Sequence, residues 1–229
     1  MPALPAYHEP ERLIKRHLAD LLRTAIMSEV LNPGERVVEG KWASKFGVAQ
    51  GSIREAINLL ALEGFVTKQP GRSARVIYFT EQDVVQIYQI RGAFEGLAAR
   101  LASSAHAELS VLQSAVDGMR AATEAGHREP LLDCDLQFHL RLCELAGNPY
   151  LLEQARRILL PFFAFVRMRV VGSRQDVSVW SKDIEAHQRI IDLIREGEGD
   201  VAELYVRKAM ERFGRTARDN WERHGAAGR

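Results

Sequence analysis

The chain has 229 residues, of which 46% are hydrophobic and 27% charged, with a formal net charge of +1. That length accommodates two domains with a core each, and the apolar content excludes wholesale disorder. No run reaches the eighteen or so apolar residues of a membrane span, the first residues lack a secretory pattern, and Cys134 with Cys143 cannot build a disulfide framework. A cytoplasmic globular protein is therefore expected. The charge is unevenly divided: residues 1–78 hold 11 Lys/Arg against 8 Asp/Glu, whereas residues 79–229 hold 20 against 22. A near-neutral total thus does not exclude nucleic acid, because phosphate affinity depends on where charges sit.

Arg12 to Ser28 carries apolar residues at Leu13, Ile14, Leu18, Leu21, Leu22, Ala25 and Ile26, the stripe of an amphipathic helix, and Asn32-Pro33-Gly34 stops it. Arg36-Val37-Val38 reads as extended and Lys41 to Phe46 as a brief helix. Gly47 then supplies a tight turn before a second helix, Gln50 to Glu63, which Gly64 ends. Phe65–Thr67 and Ala74–Tyr78 are strand-like and flank Pro70-Gly71-Arg72-Ser73, which predicts a hairpin. This is the element order of a winged helix-turn-helix. Beyond Thr80, six long helices are expected near residues 81–104, 108–125, 130–146, 149–171, 179–195 and 200–224, with breaks at glycines such as Gly126, Gly147 and Gly197. The predicted fold class is mainly α. An arm of residues 1–9 leads into a winged helix-turn-helix over 10–78, and an antiparallel all-α bundle over 79–229 follows, with a natural ligand site between its helices.

A helix-turn-helix reads DNA with the start of its second helix in the major groove. Here that start is Ala49-Gln50-Gly51-Ser52-Ile53-Arg54. Small residues such as Gly51 and Ser52 let the backbone approach; Gln50 can pair bidentately with adenine and Arg54 with guanine, each discriminating by roughly 1–3 kcal/mol. Asn58 lies one turn further on. Lys41, Lys45 and the hairpin-tip Arg72 suit phosphate or minor-groove contacts. The alternative is that these polar side chains only solvate one helix face.

Pro33-Gly34-Glu35-Arg36-Val37-Val38-Glu39, Phe46-Gly47-Val48, Ile53-Arg54-Glu55-Ala56-Ile57 and Leu62-Glu63-Gly64-Phe65-Val66 resemble the DNA-binding domain of GntR-family transcription regulators. The resemblance implies a homodimer on a short palindromic operator in double-stranded DNA. One departure stands out: the family's Ser-Arg-Thr/Ser-Pro is replaced by Ala49-Gln50-Gly51-Ser52. An N-cap hydroxyl worth about 1 kcal/mol is absent, and glutamine in place of arginine favours adenine over guanine.

In the second half the densest chemistry is Asp133-Cys134-Asp135-Leu136-Gln137-Phe138-His139. Asp135 and His139 stand four apart on a predicted helix. They could share one transition-metal ion, Zn, Mn, Fe or Ni, or form an Asp–His pair on a solvated face. His187, at the edge of an apolar stripe, would be a third ligand from a distant helix. Arg91 either clamps an effector carboxylate or pairs with Glu95 as a surface i,i+4 salt bridge. Arg167 and Arg169 are further interior candidates, and Cys134 and Cys143 read as core residues.

Ile90–Glu95, Asp135–His139, Ala146–Leu151 and Glu185–Ile190 resemble the FCD effector domain of the FadR subfamily of the same regulators. What this implies is an Asp and three His around a metal that helps bind a small carboxylate. Asp135, His139 and His187 match three of those positions. The last helix, Leu204–Phe213, offers no fourth histidine, and His224 falls about three turns too late. Three ligands with open positions suit Zn, Ni or Mn; a weaker or empty site is the other reading. The function expected is a ligand-responsive DNA-binding regulator, a repressor, with no membrane partner. The alternatives are a metal-dependent enzyme in which Asp135, His139 and His187 activate water, and a helical protein-interaction module.

Overall fold

In a computed structural model, residues 9–28, 30–68, 73–105, 108–171 and 181–225 are described, and the chain divides into two compact units, Met1–Tyr78 and Phe79–Arg229. The first contains α1 (Glu9–Met27), α2 (Glu39–Phe46), α3 (Gln50–Leu62), β1 (Val66–Thr67) and β2 (Arg75–Val76). Leu18, Leu22 and Ile26 of α1 meet Ile53, Ala56, Ile57 and Leu60 of α3 in a buried core that also takes in Trp42 and Val37. Arg23 ties the two helices at the rim, its NH2 group donating to Glu63 at 2.6 Å.

Both strands are shorter than their sequence pattern suggests. They pair antiparallel, Val66 with Val76 and Thr67 with Arg75. The extended segment before α2 supplies what they lack: Gly34 N–H donates to Val76 and Val37 N–H to Ala74, while Val76 N–H donates to Glu35. Arg36 and Arg75 form an isolated bridge there. The hairpin tip, Arg72 included, and the arm up to residue 8 lie outside the described residues.

The second unit contains α4 (Glu81–Ser104), α5 (Ser110–Glu124), α6 (Arg128–Leu145), α7 (Pro149–Val171), α8 (Ser181–Arg195) and α9 (Gly199–Gly225). A capping box starts α4: Thr80 Oγ1 accepts from Asp83 N–H while the Asp83 carboxylate accepts from Thr80 N–H at 2.8 Å. At the start of α7, Asn148 Oδ1 accepts from the N–H groups of Tyr150 and Leu151, both at 3.1 Å. Helices α4 and α9 run in close contact because Gly96 has no side chain. A Cβ there would lie 3.1 Å from the Glu203 carbonyl oxygen. That intimacy fixes α4, which also contacts α6, α7 and α8. No helix among the described residues is long and apolar enough to cross a membrane.

Candidate DNA-reading helix and candidate metal centre

In the first unit, Gly47 closes α2 with a left-handed φ of 66°, a conformation that costs glycine little, and turns the chain into α3. The α3 N-cap is Ala49, with no side-chain cap bond. The first N–H groups of α3 therefore gain no side-chain acceptor from that position. Ile53, Ala56, Ile57 and Leu60 are buried, which leaves Gln50, Gly51 and Arg54 exposed on the other face, with Ser52 at its margin. Lys41 and Lys45 are exposed on α2, and the Lys45 ammonium stands 4.7 Å above the Trp42 ring. Asn58 is half-buried and already engaged, since its Oδ1 accepts from Lys68 Nζ at 2.7 Å.

In the second unit, α6 and α8 bring three ligand atoms together. Asp135 Oδ1 lies 3.1 Å from His139 Nε2 and 3.1 Å from His187 Nε2, and the two nitrogens are 3.4 Å apart. Points so spaced can all lie about 2.1 Å from a single ion. Both imidazoles are buried, which removes the reading of a solvated Asp–His pair.

The far side of each ring faces an acceptor. His187 Nδ1 lies 2.6 Å from the Asp183 carbonyl oxygen. A carbonyl has no proton to give, so Nδ1 is the donor, and in the neutral ring Nε2 is left with its lone pair. His139 Nδ1 lies 2.5 Å from Glu95 Oε2, a close but off-axis contact. Asp135 Oδ1 is buried and has no hydrogen bond of good geometry among the described residues. Two imidazole nitrogens and an orphaned carboxylate oxygen thus converge, the donor set a borderline transition-metal ion takes.

Burial alone would raise the Asp135 carboxyl, but the two imidazoles outweigh it and hold it well below the usual carboxylate range. Glu95, fully buried on α4, is likewise pushed up by burial and pulled down further by Arg91 and His139, to about 2. Burial lowers His139, yet the Glu95 charge leaves it raised overall. A metal at the cluster would compete with a proton on His139.

Arg91 is 3% exposed and its Nε donates to Glu95 Oε1 at 2.6 Å. The pair exists, but inside the bundle rather than on a surface. The rings of Tyr88, Phe162 and Phe163 surround the guanidinium at 5.1–5.4 Å. Its terminal nitrogens have no hydrogen-bond partner among the described residues. Two other candidates move outward: Arg167 is half-buried and paired with Asp133, and Arg169 is exposed. Cys143 is buried but Cys134 only partly so. His224 lies where no side chain is described. Sequence spacing does not reveal the link from Glu95 to His139, 44 residues apart, nor the role of the Asp183 main chain.

Residues 14–76 match the family "Bacterial regulatory proteins, gntR family" and residues 86–212 match the FCD domain. The chain is 27% identical over 198 residues to the "Probable D-xylose utilization operon transcriptional repressor" of Paenarthrobacter nicotinovorans, covering 84% of this chain and 85% of that protein. It is 26% identical over 201 residues to the gluconate operon transcriptional repressor of Bacillus licheniformis, covering 84% and 82%. Among solved structures, E. coli McbR/YncC shares the fold, with a TM-score of 0.69, 17% identity and coverage of 91% of this chain and 98% of that one. The matched family is one of regulatory proteins, and both named relatives are repressors, which sets aside the metal-dependent enzyme. The chain belongs to the GntR family of DNA-binding transcription regulators, in the FadR subfamily that carries an FCD domain.

Proposed function

We propose that this regulator is a homodimeric repressor that binds a palindromic operator through α3 and is released by a small carboxylate sensed at the Asp135–His139–His187 cluster. The convergence of the Asp135, His139 and His187 ligand atoms in the bundle interior carries the reading. Asp135, His139 and His187 would hold the metal, Zn, Ni or Mn. When bound, such an ion supplies Lewis-acid positions for an effector oxygen. Glu95 and the Asp183 carbonyl orient the two imidazoles from behind. Arg91 supplies a fork for the effector carboxylate through the nitrogens that Glu95 leaves open.

In the first unit, exposed Gln50, Gly51, Ser52 and Arg54 form the groove-reading start of α3, with Asn58 behind it. Lys41, Lys45 and Arg72 supply phosphate contacts. Dimerisation is supported by α4, where Ile87, Ile90, Phe94, Leu97 and Leu101 recur at spacings of three and four and none is buried. Such a seam suits a second copy of the same helix. The same helix carries Arg91 and Glu95 on its inner face, so an effector that displaces them also acts on the seam, with a coupling typically of 1–3 kcal/mol.

The test is a melting-temperature screen of small carboxylic acids on chelated and metal-loaded protein, followed by fluorescence anisotropy on a selected duplex. A ligand of the native state raises the melting temperature. The reading expects a shift that requires metal and a matching loss of DNA affinity. No metal uptake, or shifts indifferent to metal, would refute the sensor; absence of duplex binding would refute the operator reading.

A further inference from the structure

Glu39 is the first residue of α2 and Arg54 the fifth of α3, and their side chains meet across the turn between the helices. The contact is a fork. Arg54 Nε lies 3.1 Å from both Glu39 carboxylate oxygens, and Arg54 NH2 donates to Oε2 at 2.8 Å. A guanidinium has two edges that can form paired donors, the Nε side and the end formed by its two terminal nitrogens. Glu39 occupies the first edge and leaves the second directed away from it. That end still offers two parallel donors for guanine O6 and N7.

Arg54 is 56% exposed and Glu39 29%. A pair this wet contributes little to stability. Its consequence is geometric: an arginine otherwise free to sample many rotamers is held in one plane by a carboxylate mounted on a helix end, before DNA arrives. The carboxylate also carries a cost, because it places a negative charge beside the face that meets phosphate.

Building on the operator reading above, we propose that Glu39 is a specificity-determining residue: it positions Arg54 for a guanine in each half-site and thereby trades bulk affinity for discrimination.

The test is selection of a randomised duplex library by the full-length protein, followed by affinity measurements on single-base variants for wild type, Glu39→Ala, Glu39→Gln, Arg54→Ala and the double variant. For Glu39→Ala, discrimination at the one position per half-site that Arg54→Ala also flattens should fall roughly tenfold. Preferences elsewhere should persist, and affinity for random duplex should stay level or rise. Glu39→Gln, which keeps one acceptor, should be intermediate, and Glu39→Ala should change nothing at that position when Arg54 is already alanine. A uniform loss at every position, or discrimination left intact, overturns the assignment. If Arg54→Ala abolishes a preference that Glu39→Ala preserves, only Glu39 is misassigned. If the wild type shows no preference that depends on Arg54, the reading of α3 fails and the proposal falls with it.

Discussion

The carboxylate of Glu95 lies 2.5 Å from Nδ1 of His139 through one oxygen, and its other oxygen accepts from Arg91 at 2.6 Å. One buried side chain on α4 thus ties a metal-ligand candidate on α6 to an effector-binding candidate on its own helix. Breaking such a pair from one side leaves an uncompensated charge inside the bundle. Glu95→Gln should therefore cost about 3–5 kcal/mol in denaturant unfolding. Arg91→Met with Glu95→Leu together should cost less than either single change, because neither charge is then stranded. If the double variant loses the sum of the single losses, the two residues do not act as a pair.

Replacement of His187 by alanine or Asp135 by asparagine should lower metal affinity at least tenfold, read by calorimetric titration of chelated protein with Zn, Ni or Mn. The pH dependence has a definite sign. His139 is raised above 6.5 by Glu95, so its contribution to metal-free stability is present below pH 6.5 and is lost as pH rises through the folded value. Metal binding needs the unprotonated ring, so affinity should climb over that same interval and protons should be released. Titrations in buffers of different ionisation enthalpy measure the release directly; uptake without it would show that His139 is not a ligand.

The capping box at the head of α4 offers a test that does not involve the cluster. The Thr80 hydroxyl and backbone N–H hold Asp83 below its usual 3.8. A depressed carboxylate contributes stability above the unfolded value that is lost as pH falls through the folded one. Asp83→Ala should cost about 1 kcal/mol at neutral pH. The gap to wild type should close below pH 3.8. A gap independent of pH would mean that the charge at this helix end contributes nothing.

The first unit is legible in sequence because its punctuation is local: Gly47 and Gly64 mark turns, and the apolar period of α3 marks its buried face. The strands are less so, because Gly34–Val37 does part of their pairing across about forty residues of chain. In the bundle, Asp135 and His139 are visible as neighbours one turn apart on a helix. His187 is suggested by its apolar surroundings and by the resemblance to the FCD domain, not by its spacing from the other two. The buried state of Arg91 is hidden because an Arg–Glu i,i+4 spacing is the same on a surface and in a core. What distinguishes them is α7, whose Phe162 and Phe163 stand against the guanidinium from some seventy residues away. Glu39 is hidden for a similar reason, since a helix-start glutamate reads as a favourable dipole charge whether or not an arginine meets it.

Ala49 caps α3 with extended backbone angles and no side-chain acceptor, so Ala49→Ser should stabilise the protein by about 1 kcal/mol. Gln50→Arg should shift base selection toward guanine at the position residue 50 reads. Thermal melting reports the first and library selection the second. An unchanged selection profile would place Gln50 away from the base edges.

Gly51 separates stability from recognition most cleanly. A Cβ built there meets nothing within 4 Å, and its backbone is helical. Glycine inside a helix costs about 0.5–1 kcal/mol relative to alanine. Gly51→Ala should therefore raise the melting temperature, and Gly51→Leu should raise it too. If the start of α3 enters the major groove, however, the absent side chain is what lets the backbone approach. Gly51→Leu should then weaken binding to a selected duplex at least tenfold while the fold is strengthened, and Gly51→Ala should fall between. A leucine variant that melts higher and still binds as well as wild type would mean that some other part of the winged helix meets the bases.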